Sequence, residues 1–205
     1  MLMSVGMLMV ACKTRVDTRH EVMVSVADQR MVVFDNGQVV QSYPISTSKF
    51  GLGDEPNSYR TPVGKLQVAR KIGGRAQPGT VFKGRHPTGE VLTPDSPGRD
   101  PIVTRIIWLE GLEAQNRNAF RRYIYIHGTP EARNIGRPVS YGCIRMRCQD
   151  VMDLYERVSH GTVINIIPDR LPVAVRRSES WSRTRQMFAR RGGDQEEREE
   201  GGVRQ

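Results

Sequence analysis

His127 and Cys143 stand 16 residues apart (143 − 127) in the stretch YIYIHGTPEARNIGRPVSYGCIRM, residues 123–146. A thiol with an unperturbed pKa of roughly 8.5 is mostly protonated near neutrality. An imidazole within hydrogen-bond reach takes that proton, leaves a nucleophilic thiolate, and later returns the proton to a departing amine. The neighbouring residues suit that use. Gly142, directly before the cysteine, removes a side chain that would obstruct an incoming carbonyl and allows a turn that presents the sulfur. Backbone N–H groups around Gly142 and Cys143 could form an oxyanion hole. Gly128 frees the bond after the histidine, and Arg145 adds a permanent charge whose planar fork fits a carboxylate. The plainer alternative is structural: a buried cysteine packs like a small apolar residue, and a lone histidine is usually just a packed side chain. A zinc site from His127, Cys143, Cys148 and His160 lacks the close Cys or His pairs of structural zinc. Spacing alone leaves catalysis and packing nearly even.

Holding two such groups in register needs a rigid scaffold, and strand patterns dominate the chain. Val22, Val24 and Val26 alternate with Met23, Ser25 and Ala27, the period of a half-buried strand. MVVF follows, then the turn Asp35-Asn36-Gly37, then QVVQSYPI, which together predict a β-meander. KLQVARKI, PIVTRIIWLEG, RYIYI leading into His127, and TVINII read as further strands. Residues 46–64 form a loop, and 73–100 is so dense in glycine and proline that a helix is excluded there. QDVMDLYERV alone has a helical period, with Val151, Leu154, Tyr155 and Val158 on one face and Asp150 in the first turn. The expectation is one mostly-β domain over residues 20–168 (α+β only in a minor sense), a sandwich or barrel-like sheet with its main helix after Cys143.

The ends differ in composition. An apolar run over 1–11 stops at Cys12, too short to span a bilayer but long enough for a signal-peptide core. Met9-Val10-Ala11-Cys12 resembles a bacterial lipobox, so 1–12 is expected to be a leader with Cys12 as the lipidated residue and a membrane anchor. Residues 169–205 mix charge blocks with glycine and are expected to be a flexible tail, with a short helix around 181–188. The formal charge of +9 points toward an anionic polymer or surface, yet no nucleic-acid module or aromatic-interleaved basic run is present. Three cysteines do not make a disulfide framework.

HGTPEARNIGRPVSYGCIRM resembles the signature of the L,D-transpeptidases (YkuD-type catalytic domain): His-Gly-Thr, a glycine-bearing loop, then Ser, any residue, Gly, Cys, Ile or Val, and Arg. VSVADQRMVVFDNGQVVQSYPISTSK, TPVGKLQV and DVMDLYERVSHGTVINI extend the likeness over roughly 20–167. The resemblance implies a β-sandwich-like enzyme of the periplasm or cell envelope acting on peptidoglycan stem peptides. Cys143 would be the nucleophile and His127 the general base and acid. Gly142, Ser140 and Gly128 would shape the pocket, Tyr141 would orient the histidine through its carbonyl where many members have histidine, and Arg145 would contact the substrate's charges. The acceptor would be a stem peptide, a lipoprotein, a D-amino acid or water, with no metal or organic cofactor and no nucleic acid. Cys148 stands where an asparagine often caps the helix. A sortase-type transpeptidase also orders histidine before cysteine but carries its arginine well beyond it. A non-catalytic wall-binding lipoprotein would not need His127, Cys143 and Arg145 together.

Overall fold

The computed structural model describes residues 16–179, so Cys12, the leader and the helix expected around 181–188 lie outside the described residues. The chain opens with β1 (His20–Ser25), β2 (Arg30–Asp35) and β3 (Gln38–Pro44), the antiparallel meander that the alternation predicts. Then come β4 (Gly64–Ile72), a hairpin of β5 (Thr80–Lys83) and β6 (His86–Val91), and the long β7 (Ile102–Gly111). The site segment supplies β8 (Tyr125–Gly128) and β9 (Ile144–Met146), followed by α1 (Cys148–Arg157) and β10 (Val163–Ile167).

The sheet runs β3-β2-β1-β10-β4-β7, and the far edge of β7 carries β8 and then β9. Just past β3, Ser46 exchanges two backbone hydrogen bonds of 2.9 Å with Arg145 of β9. That bridge ties the β3 end of the sheet to the β8–β9 branch, so this part of the sheet curls around the main core. Val22, Val24, Met31, Leu66, Leu109, Ile126 and Ile144 fill that core, and α1 adds Val151 and Leu154. Burial of such side chains contributes roughly 1.5–3 kcal/mol each. The mostly-β, barrel-like expectation is met.

β7 is bent where Thr104 takes a φ of 73° and the pairing with β8 shifts between Val103 and Ile106. Such a bulge re-aims a strand: the first residues of β7 meet β5, while the middle meets β8. Gly128 is required at this crossing, because a Cβ there would lie 2.6 Å from the Val103 carbonyl oxygen.

The 73–100 segment, helix-free as expected, contains the β5–β6 hairpin, closed by Gly84 and Arg85, both at positive φ. Two expectations change. The helix N-cap is Arg147, with Cys148 already inside the helix. The flexible tail expected from 169 is corrected over 169–179. Ser25 donates a 2.7 Å bond to the Asp169 carbonyl, the Leu171 N–H reaches Asp28 at 2.8 Å, and residues 173–179 are helical. Leu171 is buried, as is Glu179, which meets Arg30 and Ser42. An apolar residue and a carboxylate with two waiting partners dock this stretch despite its charge.

Candidate active site

β8 and β9 are parallel neighbours, pairing Ile126 with Ile144, His127 with Arg145 and Gly128 with Met146. Alternation then divides the side chains. Ile126, Ile144 and Met146 enter the main core. Tyr125, His127, Cys143 and Arg145 share the opposite face, with Cys143 packed against the cluster of Phe82, Ile106, Trp108 and Tyr125. The histidine on β8 and the cysteine in the turn that leads into β9 therefore lie diagonally on one face.

Cys143 opens onto a groove of about 360 Å³ whose lining includes Tyr59, Tyr123, Tyr141, Arg121 and Arg122. The turn before it needs glycine: Gly142 has a φ of +116°, and a Cβ would press to 3.2 Å from the Arg60 carbonyl oxygen. The turn is pinned from both sides. The Ser140 hydroxyl donates to the Cys143 carbonyl at 2.6 Å, and the Thr61 hydroxyl to the Gly142 carbonyl at 3.0 Å. The Gly142 N–H donates to Ser140 Oγ at 3.2 Å, so the expected oxyanion role for that amide is not what the resting turn offers. Ser140 is fully buried and serves the turn rather than the groove.

His127 is buried, and its Nδ1 lies 2.8 Å from the carbonyl oxygen of Gly128. That contact fixes the tautomer with a proton on Nδ1 and leaves Nε2 as the basic nitrogen. The orienting carbonyl expected from Tyr141 is thus supplied by Gly128. Tyr141 instead projects outward, its hydroxyl accepting a 3.0 Å bond from Lys49.

The electrostatics keep both partners neutral. Burial lowers the His127 pKa to about 4, with the Arg145 charge acting in the same sense against the Gly128 hydrogen bond. Burial raises the Cys143 thiol to about 11, offset in part by the Tyr125 N–H and by Arg145 and Arg122. The residue keeps some exposure to the groove while its sulfur is held among protein atoms. Cys143 Sγ donates to the Tyr123 carbonyl at 3.4 Å and accepts from the Tyr125 N–H at 3.4 Å. Among the described residues no imidazole–sulfur hydrogen bond forms: His127 Nδ1 is held by the Gly128 carbonyl and Cys143 Sγ by the Tyr123 and Tyr125 backbone.

Arg145 corrects another expectation. Its side chain is buried and paired with Asp100, with Glu131 at 3.9 Å, so it is not presented to a substrate carboxylate. Thr129 donates to Asp100 as well, tying β9 to the segments before β7 and after β8. Arg122, which sequence reasoning did not single out, braces the groove wall: it donates to the Gly53 and Arg60 carbonyls at 3.0 and 2.7 Å and pairs with Asp54 at 2.9 Å. Adjacent arginines after a phenylalanine carry no motif that would have marked it. The four zinc candidates do not gather; among the described residues no three His, Cys, Asp or Glu side chains cluster as a metal would require. Cys148 Sγ contacts the Thr129 carbonyl at 3.8 Å.

Comparison with known proteins follows the same lines. A family model described as the L,D-transpeptidase catalytic domain (YkuD) matches residues 19–166. A Bacillus licheniformis protein carrying the name L,D-transpeptidase YkuD is 24% identical over 73% of this chain and 66% of its own length. The Escherichia coli protein named for L,D-transpeptidase YbiS is 28% identical over 75% of this chain and 46% of its own. The chain thus spans about half to two thirds of the curated relatives it matches. Among solved structures, L,D-transpeptidase 3 from Mycobacterium tuberculosis aligns over 73% of this chain and 61% of that one, at 18% identity and a TM-score of 0.49.

Proposed function

This chain belongs to the L,D-transpeptidase catalytic domain family, and on that footing we propose that it is a cysteine acyltransferase acting on peptidoglycan stem peptides. The observation that carries the reading is the shared face of β8 and β9, with His127 beside a Cys143 that opens onto the groove. The donor is the amide between diaminopimelate and D-alanine. As substrate displaces the thiol from the Tyr123 carbonyl, the Cys143 proton passes to Nε2 of His127 and the sulfur attacks the carbonyl carbon. The oxyanion that develops collapses, the C–N bond breaks, and the imidazolium hands its proton to the leaving D-alanine amine. A thioester on Cys143 remains. An incoming amine, from a second stem peptide, a lipoprotein or a free D-amino acid, loses its proton to His127 and takes the acyl group; water in its place gives carboxypeptidase activity.

The neutral resting pair fits this sequence. A histidine that is unprotonated at pH 7 is in the state a base requires, and a protonated thiol resists wasteful oxidation until substrate arrives. We assign the protein to the bacterial envelope because its substrate is the wall polymer, with the sequence around Cys12 supporting a lipid anchor. No helix among the described residues is long and apolar enough to cross a membrane.

Mixing the protein with disaccharide tetrapeptide and analysing the products by mass spectrometry tests the reaction. Loss of D-alanine with formation of a cross-linked or exchanged product is expected. Cys143→Ala is expected to abolish it, at least ~1,000-fold, because no other group in the site supplies a nucleophile. Cys148→Ala should retain most of the activity. Unchanged substrate with folded wild-type protein would defeat the reading.

A further inference from the structure

Three large aromatic side chains stand in the open beside the groove: Phe50, Tyr59 and Tyr141, at 46%, 56% and 54% exposure. They are mutual neighbours, with ring centroids 5.9 Å (Phe50–Tyr59), 5.6 Å (Phe50–Tyr141) and 6.0 Å (Tyr59–Tyr141) apart. The interplanar angles of 42°, 53° and 86° mean that no ring lies flat on another. The buried cluster contrasts with this: Trp108 and Phe120 are stacked at 4.1 Å and 6°, each covering the other's face. Three clustered rings left to water are a standing cost of unburied apolar surface, and such patches mark binding sites more often than scattered exposed residues do.

The backbone beneath the trio is fixed. Ser48 Oγ donates to the Tyr59 carbonyl at 2.6 Å, the Ser48 N–H bonds Thr61 Oγ1 at 3.0 Å, and the Lys49 N–H bonds the Ser140 carbonyl at 3.1 Å. Lys49 crowns the cluster, its Nζ 4.4 Å from the Tyr141 ring and 5.2 Å from that of Phe50. The surface is thus mixed: aromatic faces for apolar contact, ringed by phenol hydroxyls and an ammonium that donate hydrogen bonds. A pyranose has the complementary make-up. One face presents C–H groups to the negative face of an aromatic ring, and the rim presents hydroxyl and acetamido groups to donors. Tyr59 and Tyr141 also line the Cys143 groove, so the platform continues the proposed peptide site without a break.

We infer that Phe50, Tyr59 and Tyr141, with Lys49, form a glycan subsite that stacks N-acetylhexosamine units of the strand bearing the donor stem peptide. The inference rests on the proposed peptidoglycan reading for its ligand class. It makes the enzyme selective for stem peptides attached to glycan over free peptides.

The test uses the full chain carrying Cys143→Ala and two probes: glycan strands stripped of their peptides, and the free stem tetrapeptide. Saturable binding of peptide-free glycan, followed by titration calorimetry, is expected. It should weaken at least ~10-fold in Tyr59→Ala and in Phe50→Leu, which keeps apolar bulk but removes the ring, and should be restored in Phe50→Trp. In the active enzyme the same two losses should bring the kcat/KM ratio of disaccharide tetrapeptide to free tetrapeptide toward one. No glycan binding by the parent, or equal binding by Phe50→Leu and the parent, would overturn the subsite. So would concentration-dependent self-association lost in Phe50→Leu, which would mark the face as a contact between two copies. Peptide-free glycan carries no stem-peptide amide for the enzyme to cleave, so binding without turnover of any stem peptide would sink the transferase reading alone.

Discussion

At the scale of single residues, the resting chemistry turns on what desolvation does to a thiol and an imidazole. Burial pushes Cys143 up to about 11 and His127 down to about 4, so between those limits the site holds a neutral pair. Below about pH 4 His127 is protonated and could not serve as the proposed base, and only above about pH 11 does the thiol ionise unaided. Alkylation by iodoacetamide, read at Cys143 by peptide mapping, checks this without any substrate. Its rate is expected to climb ~10-fold per pH unit from pH 7 to 10 and to level only near the thiol's own pKa, because the thiolate is the reactive form. A plateau already established at neutral pH would mean a preformed thiolate–imidazolium pair. Gly142, at a φ of +116°, and the Gly128 carbonyl on Nδ1 are the smaller parts that keep this geometry in place.

At the scale of elements, β9 is the piece on which the site depends. It has three residues, and it is held by β8 on one side and by the Ser46–Arg145 bridge on the other. Arg145 adds a side-chain anchor through Asp100 and Glu131. Removing one member of a buried ion pair strands the other charge, at a cost on the order of 3–5 kcal/mol. Arg145→Met is therefore expected to lower the melting temperature by roughly 6–12 °C, at 2–4 °C per kcal/mol with some relief from the apolar replacement. A shift of under about 2 °C would show that the pair does not hold β9. The meander, β4, β7, α1 and β10 were legible because each has a periodic apolar pattern long enough to read, as in Val22/Val24 or Val151/Leu154. β9 was not, since three residues carry no period; its identity comes from partners at Ser46 and Ile126 that are distant in sequence. The β5–β6 hairpin was hidden for a different reason: all six residues of β6 are exposed, so no alternation marks it. In the site, the sequence singled out His127 and Cys143 through residue type and motif. Arg145's role was misjudged because its partner, Asp100, is remote in sequence and reached only through the fold.

At the scale of the whole molecule, the sheet sets the first and last strands of the described residues side by side. β10 runs parallel to β1 at the centre of the sheet, and the chain leaving it folds back over β2 and β3 rather than departing. A chain ended after Pro168 loses Leu171 and the Glu179 contacts, so it is expected to melt at least ~5 °C below one ended after Glu179. Equal melting temperatures would mean that the 169–179 segment adds nothing to the domain. The scaffold matters to function because it holds two short strands in register while the groove beside them stays open. Whether those strands carry one reactive site is best asked by rapid quenching of the full chain with stem tetrapeptide, followed by intact-mass measurement and mapping. The expected result is a thioester adduct on Cys143 equal to the tetrapeptide less its terminal D-alanine, absent from Cys143→Ala and formed far more slowly in His127→Gln. Turnover without any adduct on Cys143, or adduct formation at an unchanged rate in His127→Gln, would contradict it.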